Sequence, residues 1–411
     1  MNDIDSPNGF WAGRNINGYF AFHLFINFAF WLPVYAVFFI NRGLTLSELL
    51  SLFAVLAAVQ TALEIPSGTL ADRWGRKPVL VLGALLQACG YVCIAAGNSF
   101  FWYIVGMAMA GIALAFVSGA DAAFIYDSLA AAGRENEFKK IEGRAYMYNL
   151  LGWGAGGLLG GYVAAHSLSM TYVLSALTSV LALLCIGLCE EPPRARGGQQ
   201  SLGLLKKALV TAGTIANVRA AIILSSVVIG LLLVVHKFSQ PYLVAAGLSL
   251  KSFGYIYFLW LAGAAATARY SERIERLLGR QLYFVSVPLV AGAAILYMGL
   301  WQNAWGAILA LGHQYAWGSL RPQVYQIINR EVDSSMRATI LSMTGFGSSV
   351  FYIICVPVFG LAADKYGFAI ALQILGPLLV VLGLITAIFL LASERKKPPR
   401  VQESYVYGKE K

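Results

Sequence analysis

Apolar runs of about 18–25 residues alternate along the chain with short polar or charged segments. Twelve runs are readable, centred near residues 28, 57, 88, 113, 153, 179, 230, 259, 290, 315, 349 and 379. An α-helix rises about 1.5 Å per residue, so a run of that length crosses a hydrocarbon core of about 30 Å. The period-two alternation of barrel strands is absent, so the runs predict helices. The expected fold is all-α and integral to a membrane. It has twelve transmembrane helices in two six-helix halves, with both termini cytoplasmic.

Composition agrees. Hydrophobic residues make up 58% of the chain and charged residues 12%, against about 25% charged in a soluble domain. Lipid is the partner this balance implies, in a cell (inner or plasma) membrane. The first sixteen residues are polar and carry no cleavable apolar region, so the first span is expected to be retained. With both termini inside, only Arg42, Lys251 and Lys365 fall in outer loops, and Lys237 and Arg321 fall within spans. All other lysines and arginines lie on the inner side, as the positive-inside rule requires. The net charge of +10 therefore follows from topology and calls for no nucleic acid. Cys89, Cys93, Cys185, Cys189 and Cys355 all sit in apolar runs and read as small packing residues.

The longest inner loop opens with prolines, arginines and glycines, then turns into the helical pattern SLGLLKKALV. The expected organisation is a half at 1–190, a linker with a short interfacial helix at 191–215, a half at 216–393 and a basic tail at 394–411. The halves echo each other. Gly75-Arg76 falls on Gly279-Arg280, and Arg144-Ala145 with Gly152 and Gly154 falls on Arg337-Ala338 with Gly345 and Gly347. A six-plus-six repeat places a central cavity between two halves that rock against each other.

The segment Gly68 to Pro78 reads GTLADRWGRKP. A tight connection between helices needs glycine for backbone freedom. Asp72 can face the positive end of a neighbouring helix, and Arg73 can pair with a carboxylate. Gly68, Asp72, Arg73, Gly75 and Arg76 resemble the signature between spans 2 and 3 of the major facilitator superfamily. With the twelve spans, the central loop and the degenerate second copy, the resemblance covers the whole chain. It implies alternating-access secondary transport, with this loop latching the halves when the cavity faces outward. It also implies pairing of the motif arginine with an acid on span 4, a place that Asp127 fits.

Residues 143–161, GRAYMYNLLGWGAGGLLGG, hold seven glycines. Gly152, Gly156 and Gly160 step by four and form a stripe that admits another backbone, while Gly157 and Gly161 widen it. The stripe is expected to be a sliding contact between the halves. Together with Gly143 its spacing resembles the span-5 antiporter motif of the superfamily's exporter branches, among bacterial twelve-span drug/proton antiporters. In that motif a proline follows the third glycine. Gly157 stands there instead, and permits a bend without imposing one.

Charge inside a span costs about 2.5–3.5 kcal/mol even on a lenient scale, so each instance carries information. Acids lie in the first half (Glu64, Asp121, Asp127) and bases in the second (Lys237, Arg321). Two readings stand. Asp121 or Asp127 pairs with Arg321 across the cavity, or Glu64 or Asp121 takes and releases a proton, since desolvation favours a neutral carboxyl. In the superfamily, spans 1, 4, 7 and 10 line the cavity. That makes His23, Asn27, Trp31, Phe124, His236, Lys237, Tyr242, His313, Trp317 and Arg321 cavity candidates. Their aromatics favour an amphipathic substrate over a sugar.

The histidines lie on distant segments without ligand spacing, so no metal is expected. No cofactor is expected either. No nucleophile–base pair or nucleotide loop appears, so the chain reads as no enzyme. The expected function is proton-coupled export of small amphipathic compounds, drugs or metabolites, by a monomer. The alternative is proton-coupled import of a nutrient or organic anion, siderophores included, using Lys237 and Arg321. A transport-inactive receptor or scaffold is a third reading, opposed by the intact loop chemistry and the acids in the spans.

Overall fold

A computed structural model of the protein describes residues 7–193 and 202–395. Part of the expected linker (194–201) and most of the expected tail (396–411) lie outside the described residues. Among these residues regular structure is helical. In order the helices are α1 (Pro7–Ile26), α2 (Tyr35–Asn41), α3 (Leu46–Trp74), α4 (Arg76–Ala96), α5 (Phe100–Ala131), α6 (Phe138–Ala164) and α7 (Leu168–Gly187). There follow α8 (Leu202–Thr214), α9 (Ala216–Ala245), α10 (Leu250–Leu278), α11 (Arg280–Leu300), α12 (Ala304–Leu309), α13 (Leu311–Glu331), α14 (Ser334–Tyr366) and α15 (Phe368–Arg395).

Eight of these, α3, α4, α5, α7, α9, α11, α14 and α15, hold a stretch long and apolar enough to cross a membrane. The chain is a multi-pass membrane protein. The other four expected spans fall short for visible reasons. The first and tenth are each in two pieces, α6 begins among charges, and α10 ends in RYSERIERLL.

α1–α7 pack among themselves, as do α9–α15, with α8 lying against α9 and α14. Three pairs join the two groups: α3 with α14, α6 with α10, and α2 with α9. We call the end carrying Arg73, Arg76 and Lys77 the basic end, and the opposite one the far end. The cross-group contacts gather towards the far end. There Asp364 of α14 meets the start of α3, Tyr162 meets Tyr255 through their hydroxyls, and Gln240 bonds Leu32 and Ala36. On the basic half of the bundle, Gly143 of α6 and Gly345 of α14 face open space.

Three helix junctions turn on a single glycine of positive φ. α3 passes to α4 through Gly75 (φ 111°), α10 to α11 through Gly279 (φ 76°), and α14 to α15 through Gly367 (φ 88°). Positive φ strains residues with a Cβ, which is why glycine stands at each.

The first apolar run is broken between α1 and α2, at residues 27–34. Pro33 lacks an N–H and disfavours helix in the residue before it. Broken backbone at membrane depth is tolerated where protein satisfies it, and here side chains do so. Gln87 donates to Ile26 O at 2.7 Å, Thr178 to Phe28 O at 3.0 Å, and Phe30 N donates to Ser175 Oγ at 3.0 Å. Gln240, from the other group, donates to Leu32 O at 2.9 Å and accepts from Ala36 N at 2.7 Å.

The first row of the glycine stripe of α6, Gly152, Gly156 and Gly160, lies against this break, which corrects for that row the expectation of a sliding contact between halves. A Cβ on Gly152 would strike Leu24 O, one on Gly156 would stand 2.5 Å from Ala29 N, and one on Gly160 would strike Phe30 O. All three partners belong to the same group as α6. The second row of the stripe does reach across. A Cβ on Gly161 would stand 2.8 Å from Leu250 O, and one on Gly254 of α10 would stand 2.7 Å from Gly157 O.

A neighbouring pair of substitutions tests this packing. Gly156→Ala must move backbone and should cost about 1–3 kcal/mol of overpacking. Gly157→Ala meets nothing within 4 Å and should be neutral. Thermal unfolding in detergent checks both. Equal stability of the two variants would contradict the packing.

Candidate functional site

Titratable side chains cluster on the basic side of the break. α1 brings Tyr19 and His23, α5 brings Asp121 and α6 brings Glu142. His23 Nε2 lies 3.9 Å from Asp121 Oδ2, and the Tyr19 hydroxyl donates to Glu142 Oε2 at 2.9 Å. The Tyr19 and His23 rings meet edge to face at 4.4 Å. His23 is buried, and neither ring nitrogen has a hydrogen-bond partner. Asp121 lies beside His23 and keeps 20% of its side chain exposed. Two carboxylates and an imidazole joined this closely can hold and pass a proton.

Other expected residues fall in different places. Asp121 and Asp127 meet His23 and Arg76 respectively, while Arg321 lies exposed with its guanidinium 5.1 Å from the Tyr325 ring. The acid–Arg321 gate is therefore not formed in this conformation. Glu64 is exposed on α3, eleven residues beyond Phe53 and hence near the same helix face. Phe124 and Tyr242 are fully buried, which removes them from a cavity lining. Phe124 packs with Tyr19, and the Tyr242 hydroxyl donates to Asn303 O at 2.7 Å. His313 is buried beside Trp260 and Gln314. Asn27, the first residue of the break, donates to His23 O at 3.0 Å. Trp31 stacks on Tyr172 at 6.1 Å, and Trp317 is 38% exposed. His236 lies beside Tyr257, and Lys237 stands over Phe53. A metal-binding group of His, Cys, Asp and Glu is absent among the described residues.

The connection at Gly75 shows which arginine meets Asp127. It is Arg76, at 3.4 Å, and Arg76 also pairs with Asp72 at 2.7 Å. Arg76 opens α4 directly after Gly75, which sets its guanidinium beside α5. Sequence reasoning missed a further acid here. Glu191, just after α7, accepts from Arg76 N at 2.7 Å and Lys77 N at 2.8 Å, capping α4 with a negative charge where the dipole favours one. A side chain on Gly75 would stand 2.5 Å from that carboxylate. Near Gly68, a Cβ on Gly119 would come 3.1 Å from Gly68 N, so this glycine lies where α5 crosses α3 closely. The second half repeats the arrangement. Arg280, after Gly279, pairs with Glu275 at 2.6 Å and with Glu394.

Asp364 was also missed, though its signal is legible. Ala363-Asp364-Lys365-Tyr366-Gly367 repeats the chemistry of Ala71-Asp72-Arg73-Trp74-Gly75 at the other end of the bundle. Its Oδ1 accepts from Leu46 N at 2.8 Å, and its Oδ2 accepts from Ser47 N at 3.1 Å. A carboxylate from one group thus caps a helix of the other. The capping box of α3, Thr45 with Glu48, completes that helix start.

Two groups of membrane helices joined at one end, with charged side chains between them, define a polytopic transporter. The sequence profile of the Major Facilitator Superfamily matches residues 19–350, and the chain belongs to that family. Quinolone resistance protein NorA of Staphylococcus aureus is 25% identical over 175 residues, 42% of this chain and 44% of that protein. An uncharacterized transporter of Buchnera aphidicola is 32% identical over 87 residues, 21% of either chain. The chain thus matches less than half the length of these curated relatives. The crystal structure of nucleoside transporter NupG superimposes with a TM-score of 0.76 at 14% identity, covering 94% of this chain and 100% of that one. A bacterial homologue of the human lysosomal transporter Spinster, inward-facing and unoccupied, gives 0.71 at 16%, covering 95% and 98%. At those identities the structural matches bear on the fold.

Proposed function

We propose that this protein is a proton-coupled exporter of small amphipathic compounds, working by alternating access. Two six-helix halves, 1–190 and 216–393, rock about a site at the broken first span. The chain crosses the membrane twelve times, α1 with α2 and α12 with α13 each making one span, with the basic end in the cytoplasm of a cell whose inner or plasma membrane holds the protein.

One observation carries alternation: the twin Ala-Asp-x-x-Gly ends. α3 and α14 lie side by side, and each ends in this motif at an opposite end of the bundle. Asp364 is engaged on the start of α3, while Asp72 is turned onto Arg76 of its own half. A pair of latches of which one is closed is what two alternating states require. The closed far end then makes this the inward-facing state. Asp121, with His23, is the proton site, and Glu142 and Tyr19 are its neighbours.

Export is supported by the glycine motif of α6 and by the likeness to a quinolone resistance protein. The importer reading rests on the bases Lys237 and Arg321, which suit an organic anion. Direction is measurable in proteoliposomes carrying a trapped pH dye, with a quinolone or a lipophilic dye added under an imposed proton gradient. An exporter moves compound against the proton flow. Uptake along an inward proton gradient would make it an importer, and compound flux without proton movement would end the coupling reading.

A further inference from the structure

Between the two groups, near the far end, stands a cation that no acid of the described residues answers. Lys237 leaves α9 towards the other half. Its ammonium lies 3.6 Å from the centre of the Phe53 ring and 4.9 Å from that of Tyr35. No carboxylate of the described residues forms an ion pair with it. Asp121 and Glu142 belong to the His23 cluster on the basic side of the break.

A donor near these rings is unanswered. The Trp31 indole N–H has no hydrogen-bond partner, and its ring lies 6.1 Å from that of Tyr35. Tyr35 itself is occupied, donating to His236 O at 2.9 Å.

Rings offset part of the cost of desolvating an ammonium, but they supply no acceptor. A half-buried cation with an unanswered donor nearby is matched by an anion that accepts hydrogen bonds. One lysine matches one negative charge, which favours a carboxylate over a phosphate dianion. The rings of Trp31, Tyr35 and Phe53 suit a flat apolar body. We propose that Lys237 is the head-group site for aromatic monocarboxylates, with Trp31 as its accompanying donor. This rests on the transporter reading and narrows its substrates to amphipathic acids.

The test compares 1-naphthoate with 1-naphthamide, nearly the same in shape but without the charge. Both are titrated calorimetrically into the full chain in nanodiscs. The wild type should bind the acid about tenfold or more tightly than the amide. Lys237→Met should erase that difference while leaving amide binding and thermal stability in place, and Lys237→Arg should keep most of it. If the wild type binds both alike, or neither, or if Lys237→Met keeps the preference, the proposal is overturned. If Lys237 only clamps the halves, Lys237→Met loosens the far end without altering the preference, which also overturns it. Binding needs no turnover, so a preserved acid preference in a protein that moves no compound would remove the transport reading and leave the site.

Discussion

Asp364→Asn should open the far end of the bundle. Asp364 is the charged tie between α14 and the start of α3, and it meets two backbone N–H groups there. A carboxylate at a helix start contributes about 0.3–1 kcal/mol through the dipole, and hydrogen bonds to a charged group add about 1.5–3 kcal/mol in full burial. Asp364 is exposed, so the sum is discounted to about 1–2 kcal/mol, near a tenfold change in population. The reporter is a cysteine at Leu50, buried where α3 meets Gly360. It is placed on a background without the five native cysteines. Its labelling by an impermeant maleimide from the far side should be about tenfold faster in Asp364→Asn. Glu48→Gln weakens the cap of α3 within its own half and should leave labelling unchanged. Equal rates in wild type and Asp364→Asn would show that this contact is no latch.

Asp121→Asn should abolish proton movement while leaving the fold and compound binding intact. Asparagine keeps the shape and the backbone contact to Ala122 but cannot ionise. Asp121 is the acid that meets His23 and keeps partial exposure, whereas the Glu64 carboxylate is exposed with no hydrogen-bonded or ionic partner among the described residues. In dye-loaded proteoliposomes, Asp121→Asn should match empty vesicles and Glu64→Gln should resemble wild type. Proton movement in Asp121→Asn at the wild-type rate would shift the role to Glu142, the remaining acid of the cluster.

Helix number and order are legible because hydrocarbon sets a length and charge sets a side. The break in the first span is not. PheAlaPheTrpLeuPro reads as continuous apolar chain, and only Pro33 marks it. The residues that make the break tolerable, Gln87, Ser175, Thr178 and Gln240, look in sequence like scattered polar positions. The glycine stripe announces a close approach without naming the partner, so Gly156 and Gly160 pointed to the other half when they touch their own. The choice of Arg76 over Arg73 for Asp127 depends on where α4 starts, which the Gly75 backbone decides. Asp364 was visible as a second Ala-Asp-x-x-Gly, but it lies on a span running in the opposite direction. An internal-repeat search aligns corresponding spans and passes it by.

The central claim is alternation between two ends. Spin labels at Glu135 and Arg330 across the basic end, and at Phe101 and Lys251 across the far end, measure both openings in lipid on the cysteine-free background. The account predicts opposed changes: Asp364→Asn should lengthen the far-end distance and shorten the basic-end distance in the same population. Distances that stay fixed, or that lengthen together, would contradict it.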